Sequence, residues 1–394
     1  MREDFVPRVV HFSTSHNGGA GIAARRLNSA LNSWGFNSKF IALSNESFVP
    51  SSNEFALNRN QRQRMTGAAL TFLHNRVFDK TYFTLGSISA LSFLQIKELV
   101  PRNSIIHIHN WFNILDFVIL QELLDYGYAV VFTLHDMRNL TGGCHYSLSC
   151  SKYLKDCGDC PYLPPGLRNI PSKNLESFKN LLDSYSNQVH FIAPSRWLEG
   201  IALSTELIPR KQIRFIPNIH PYGIYHDSNS QQPIIREKHG VLNVGIASLN
   251  VQSKLKGGDL LSELMLHSSK SQIEFSFLGE YMSLGCSQET FWNDIDYLLV
   301  SSRADNSPNV IHEAKLRNIP VIGTEVGGIT ELLNLEFDIG IAKGDLTSAH
   351  ILKVLKNLQS ELDTYRPRYF DAKYRQYVQH ALESTINFYN EILS

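Results

Sequence analysis

The chain has 394 residues, enough for two or three domains with sizeable cores. With 43% hydrophobic and 19% charged residues it is not a disordered chain, and the absence of any run of eighteen apolar residues excludes a membrane-spanning helix. Its 37 basic and 37 acidic residues cancel, which argues against a nucleic-acid partner; the balance is an average, because Met1 to His220 holds 22 basic and 16 acidic residues (net +6) and Pro221 to Ser394 holds 15 and 21 (net −6).

The opening residues carry charges at Arg2, Glu3, Asp4 and Arg8 and lack a long apolar region, so no cleaved export signal is expected and the cytoplasm is the expected compartment. A strand within Arg8 to Ser15 breaks into HNGGAG, and a helical spacing of Ile22, Leu27, Ala30 and Leu31 follows. Gly18, Gly19 and Gly21 let backbone approach a ligand closely, and the helix start offers unpaired amides to an anion; an ordinary tight strand-to-helix turn is the plain alternative. Further strands are predicted at Ser38–Leu43, Ser104–Ile108, Ala129–Leu134, His190–Ala193 and Ile213–Ile216. Their alternation with helical stretches predicts a parallel sheet covered by helices, with ligands at the carboxyl ends of the strands, near Gly18, His109 and Asp136. His109 follows a strand and precedes Asn110 and Trp111, and His107 is expected on the opposite sheet face. His135 and Asp136 end the next strand, either lining a site or capping a turn.

Between Asn58 and Lys80, Arg59, Arg62, Arg64, Arg76 and Lys80 alternate with apolar residues, a basic amphipathic pattern that suits an anionic lipid surface or the solvated face of a domain helix. Four of the five cysteines, Cys144, Cys150, Cys157 and Cys160, lie within seventeen residues in an insertion at 141–163. In a reducing compartment that spacing reads as a structural zinc site, with free thiols, a disulfide pair or an iron–sulfur cluster as alternatives.

A polar, irregular stretch around Pro217 to Gly240 marks a domain boundary. Alternation restarts with strands at Leu242–Ala247, Glu274–Leu278, Tyr297–Ser301 and Pro320–Gly323, interleaved with helices beginning near Gly258, Ser307 and Ile329. The expected domains are 1–220, 221–371 and a long amphipathic helix over 372–394 that packs back on the first domain. In SSRADNSPNVIHEAKLRN, Ser307 is the expected N-cap and Pro308 the first residue of a helix running to about Arg317. Asp305 on the preceding loop and Glu313 inside the helix bring two carboxylates and several amides to one place, which suits a polyhydroxylated, phosphorylated molecule.

The stretch from Ser301 to Leu333 resembles the donor-site signature of retaining glycosyltransferases of the GT-B fold, specifically glycosyltransferase family 4, and its DNSPNVIHEA wording is similar to a bacterial subgroup that builds cell-surface polysaccharides. PVIGTEVGGITELL, GGAGIAARRL, HIHNW, FTLHDMRNLTGGCHYS, APSRWL and KGGDLL extend the resemblance over nearly the whole chain. It implies two facing Rossmann-like α/β domains, the first for a glycan or polyprenyl-linked acceptor and the second for a nucleotide-sugar donor. It also implies that Lys256 faces the donor diphosphate, Glu313 the ribose, and Asp305 and His109 the transferred sugar, with amides near Gly19, Ala20, Pro308 and Asn309 around the phosphates. His135 and Asp136 would line the acceptor side, and no catalytic metal or other cofactor is expected. Two departures stand out: Ile246 and Ala247 occupy the place of a usual second cation, which Lys254 would replace, and the interval between Gly279 and Asp296 is short. Asp294 and Asp296 spell a metal-and-nucleotide motif but directly precede a strand, so they are read as a decoy. A binding or scaffolding subunit derived from a transferase and a nucleotide-sugar epimerase are the rival functions.

Overall fold

The computed structural model describes residues 6–43, 49–58, 84, 89–220, 240–248, 250, 252–268, 271–279, 288–362, 366–369 and 371–394. The basic stretch at 59–80 and Cys286 lie outside them. The chain forms two compact units, one of Met1–His220 with Val378–Ser394 and one of Pro221–Tyr377.

In chain order the first unit contains β1 (Val9–Ser13), α1 (Gly18–Ser33), β2 (Ser38–Leu43), β3 (Glu54–Leu57), α2 (Phe93–Leu99), β4 (Ile105–Asn110), α3 (Phe117–Asp125), β5 (Val130–Thr133), α4 (Ile170–Ser184), β6 (Val189–Ala193), α5 (Arg196–Ser204) and β7 (Ile213–Phe215). The seven strands form one parallel sheet in the order β3-β2-β1-β4-β5-β6-β7. Helix starts are held by side chains that accept orphan amides: Ser92 from Gln95 in a capping box, Asp116 from Ile119 and Ser195 from Leu198. Along β1, Val10 and Phe12 face one core with Ile106, Ile108, Val130 and Phe132, while Val9 faces a second core with Leu27, Leu31, Ile105 and Val131. That second face, the one His11 shares by parity with Val9, is covered by α1 and by the carboxy-terminal part of the last helix, α11 (Ala372–Leu393), through Ala381, Leu382, Phe388 and Tyr389.

The second unit contains β8 (Leu242–Ser248), α6 (Gly258–Ser268), β9 (Ile273–Gly279), α7 (Gln288–Asp294), β10 (Tyr297–Val300), α8 (Asn309–Leu316), β11 (Val321–Thr324), α9 (Ile329–Leu332), β12 (Ile339–Ile341) and α10 (Ser348–Ser360) before α11 begins. Its five parallel strands run β12-β11-β10-β8-β9, over a core of Leu242, Val244, Leu261, Leu264, Leu299, Ile322 and Ile351. Both sheets are doubly wound. The order reverses between β1 and β4 in the first and between β8 and β10 in the second, and at such a switch point the loops leave in opposite directions and open a crevice.

The sequence left β3 and β12 unassigned, and both are short edge strands. Asp296 is fully buried at the foot of β10, accepting the Asn243 amide at 2.7 Å and pairing with Arg366 at 3.1 Å. It is a structural anchor, as the reading of that motif as a decoy implies.

Candidate active site

Each switch point carries a polar cluster. In the first unit the β1–β4 register sets His11 opposite His107 and then slips by one residue between Phe12 and Ser13, which gives β4 one residue more than β1. His107 and His109 therefore lie on the same face, their ring centroids 4.1 Å apart. The expectation that His107 points to the opposite face is wrong for a simple reason: residues two apart on a strand share a face. His11 Nδ1 lies 3.0 Å from His109 Nε2, and His109 Nδ1 lies 3.0 Å from His135 Nε2. His107 contacts the Tyr389 hydroxyl through Nδ1 (2.6 Å) and Thr133 Oγ1 through Nε2 (2.7 Å).

The pattern of partners assigns the protons along the His11–His109–His135 chain. His11 Nε2 is buried without a partner. Orphaned buried N–H groups are rarer than under-used acceptors, so the His11 proton belongs on Nδ1, where it is donated to His109 Nε2. His109 then donates from Nδ1 to His135 Nε2. Both nitrogens of His109, which is 7% exposed, are thus consumed inside the protein, and His135 is the more exposed end of the chain. Burial lowers His11 to about 3; burial, partly opposed by Asp136, lowers His135 to about 4. Burial and the neighbouring imidazoles hold His107 and His109 well below the usual histidine value. At neutral pH all four are uncharged.

Candidate ligand atoms of His11, His107 and His109 lie within 4.8 Å of one another, the group of three or more found among the described residues. Their nitrogens, His11 Nε2 apart, already serve the hydrogen bonds above, so a metal would have to break contacts that the fold makes. The trio is a neutral hydrogen-bonded core.

Beyond His135, Asp136 Oδ2 meets His145 Nδ1 at 2.6 Å and Oδ1 accepts the Arg138 amide at 2.8 Å. Burial alone would raise the Asp136 carboxyl, but His145, that amide and the Arg138 charge together hold it below its ordinary value. His145 is held in turn by Thr84 Oγ1 at 2.7 Å. On the other side of the switch point, Gly18, Gly19 and Ala20 form the first turn of α1. A Cβ added at Gly18 or Gly19 would meet nothing within 4 Å, whereas at Gly21 it would lie 2.2 Å from the Ser15 carbonyl oxygen. Gly21 is required by packing, and the open ground is at Gly18 and Gly19.

In the second unit Lys256 and Asp305 come from opposite sides of the β8/β10 switch point. Lys256 closes a short helical turn, Lys254–Lys256, and its Nζ pairs with Asp305 Oδ2. Asp305 is buried, and its carboxylate also takes the Asn306 amide (3.0 Å) and the Ser302 hydroxyl (3.4 Å). Lys256 remains 39% exposed, so the pair presents a cation to solvent and keeps its anion inside. The GTEVGG turn grips the same residue from behind: Gly328 donates its amide to the Asp305 carbonyl at 3.1 Å, and Gly327, at φ +56°, would carry a Cβ only 2.1 Å from that oxygen. Lys254 is placed by its carbonyl, which accepts from Arg303 at 2.6 Å.

Ser307 does not cap α8. Pro308 holds the N-cap position, and the Ser307 hydroxyl instead meets His312 Nε2 at 2.8 Å, with the other nitrogen of His312 against the Tyr374 hydroxyl. A proline at the cap leaves the α8 amino end without a side-chain cap, and Asn309 is its first residue. Glu313, one turn in, is 7% exposed.

Sequence reasoning missed His11, Thr133 and Tyr389, which complete the imidazole core. The first two carried a usable signal, since His11, His107 and Thr133 share strand parity with Val9, Ile105 and Val131. Of the four cysteines, Cys144, Cys157 and Cys160 are buried, Cys150 is partly exposed, and all are free thiols. Each influences the others electrostatically, but no three of their sulfurs fall within the 4.8 Å spacing of the histidine group.

No family model matches the chain. A protein of Escherichia coli K12 provisionally named a colanic acid biosynthesis glycosyl transferase, WcaC, is 23% identical over 288 residues, 67% of this chain and 69% of that protein. The structure is similar to Anabaena Alr3699/HepE in complex with UDP-glucose (TM-score 0.56, 12% identity, 96% of this chain and 99% of that one). It is also similar to the pneumococcal O-GlcNAc transferase GtfA in complex with UDP and GlcNAc (TM-score 0.61, 12% identity, 99% and 100%). At these identities the structural likeness carries the architecture: two parallel α/β sheets of the GT-B glycosyltransferase fold.

Proposed function

We propose that the chain is a glycosyltransferase that moves a sugar from a nucleotide-diphosphate sugar to a glycan or lipid-linked saccharide in polysaccharide biosynthesis, with retention of anomeric configuration. One observation carries the reading: a half-exposed lysine held by a buried carboxylate at the switch point of the second sheet, in a fold shared with proteins crystallised with UDP-glucose or UDP. The name of the Escherichia coli relative supports the polysaccharide setting.

In this reading Lys256 compensates the diphosphate, and charge on the leaving phosphate is stabilised by it and by the α8 amides around Asn309. Its pairing with Asp305 fixes the ammonium before the donor arrives. The second oxygen of Asp305 and the carboxylate of Glu313 are acceptors suited to sugar and ribose hydroxyls. The backbone at Gly18 and Gly19 is open enough for phosphate or sugar to approach. His135 presents the outer nitrogen of the imidazole chain, and His109 and His11 act through it by holding its ring and tautomer. The acceptor hydroxyl attacks the anomeric carbon from the face the diphosphate leaves, the C–O bond to phosphate breaks, and a phosphate oxygen takes the hydroxyl proton. No protein nucleophile is needed, so positioning and electrostatics supply the rate.

The test is a thermal-shift panel of UDP-, GDP- and ADP-sugars, followed by donor turnover and by NMR of the product linkage. One nucleotide sugar should stabilise the protein and turn over, an α-linked donor giving an α-linked product. Binding without any turnover would leave a sugar-binding subunit, and isomerisation of the donor without an acceptor would mean an epimerase; either overturns the reading.

A further inference from the structure

The insertion at 141–163 has no part in the chemistry above, and its conformation is costly. Of the six non-glycine residues with positive φ among the described ones, Leu148, Cys157 and Asp159 lie here, at 51°, 55° and 45°. Each such residue costs about 1–2 kcal/mol. Lys152 and Arg168 pair with Asp159 at 3.1 and 3.2 Å and Tyr146 stacks on Trp197, but the segment's own apolar cluster is small: Cys144, Cys160 and Leu163, joined by Leu167.

Backbone amides face two of the sulfurs: the Gly142 amide donates to Cys157 Sγ at 3.4 Å, and the amides of Tyr162 and Leu163 lie beside Cys160. Three of the four sulfurs are buried and the fourth is partly exposed, and a divalent cation would hold all four as thiolates in such a place.

We propose that Cys144, Cys150, Cys157 and Cys160 bind one zinc ion, and that this ion clamps the insertion so that His145 meets Asp136. Four sulfur donors suit tetrahedral zinc. At bonds of about 2.3 Å the sulfurs sit about 3.8 Å apart, so binding draws them inward from their present spacing. The residues on either side of Cys144 are both fixed: the Gly143 carbonyl accepts from the Thr84 amide at 2.9 Å, and His145 meets Thr84 and Asp136. Gly142 is pressed against Pro171, whose carbonyl oxygen would lie 2.1 Å from an added Cβ, which leaves the first ligand little freedom. The site is structural: all four places are filled by protein.

Full-length protein purified without chelators should contain one zinc per chain, released by a thiol-modifying mercurial. Cobalt-loaded protein should show sulfur-to-cobalt charge-transfer bands and the strong visible bands of a tetrahedral site. Cys160→Ser should lose the metal, and His145→Ala should keep it, which separates a clamped histidine from a ligand. Metal removal should speed hydrogen exchange of amides in 141–147. Should the cysteine variants fail to fold, the cobalt spectrum of the unaltered chain decides. Protein without zinc and without a tetrahedral cobalt spectrum, or carrying iron and sulfide instead, overturns the site; unchanged exchange after metal removal overturns the clamp.

Discussion

The two switch points solve opposite problems with the same topology. Between β1 and β4 the protein gathers imidazoles, keeps every one neutral and closes their hydrogen bonds on one another and on Thr133 and Tyr389. Between β8 and β10 it places a full charge pair and leaves the cation half in water. A neutral cluster, hydrogen-bonded throughout except at His11 Nε2, is rigid and suits hydroxyl-bearing ligands. An exposed ammonium on a buried carboxylate suits an anion, and it lies in the half of the chain whose net charge is −6, so any attraction for an anion there is local.

The sharpest way to break this contrast is to exchange the roles. Asp305→Asn should lower sugar transfer by about 10²–10³-fold, by freeing Lys256 from its fixed position, while the thermal midpoint changes little. Steady-state kinetics beside a melting curve reads both, and an unfolded variant with normal turnover per folded molecule would erase the distinction. His107→Phe should act in reverse, costing about 2–4 kcal/mol of stability by leaving the Tyr389 and Thr133 hydroxyls unpartnered. Denaturant unfolding measures it.

Acid separates the two regions next. Folding holds His11 and His135 below their unfolded value of about 6.5, so above that pH neither state carries the proton and the stability is fully present. Below it the unfolded chain takes up protons that the fold refuses, and stability falls by about 1.4 kcal/mol per pH unit for each histidine, down to about pH 4 for His135 and about pH 3 for His11. The groups facing this core are His107 and His109 on β4, Tyr389 on α11 and Asp136 beyond β5, and only Asp136 is charged at neutral pH. Unfolding at pH 7.5 and 5.5 should therefore differ, and less so in His11→Leu. The smallest effect is at the glycine loop: Gly19→Ala should leave stability within about 0.5 kcal/mol yet weaken donor binding if phosphate approaches there. Equal affinity for both proteins would remove the loop from the site.

Much of this was legible in the sequence because burial on both faces makes parallel strands read as apolar runs, and β2 was bounded to the residue. Ser38–Leu43 and the stretch after β10 are short-range signals. The edge strands were not legible: Glu54–Leu57 keeps Phe55 exposed, and Ile339–Ile341 has only three residues. Ser307 misled for a different reason, since a hydroxyl before proline reads as a cap, and only the fold brings His312 into its reach. The histidine core needed four elements, β1, β4, β5 and α11, from distant parts of the chain, and no local pattern announces Tyr389.

That distance also has a consequence in time. His107 and its tyrosine partner are 282 residues apart. During synthesis β1, β4 and β5 can pair under α1 long before α11 emerges, so the part of this face that Tyr389, Leu382 and Phe388 cover is left open while the second unit is made. The imidazole core of the first unit is therefore among the last parts of the molecule to be finished.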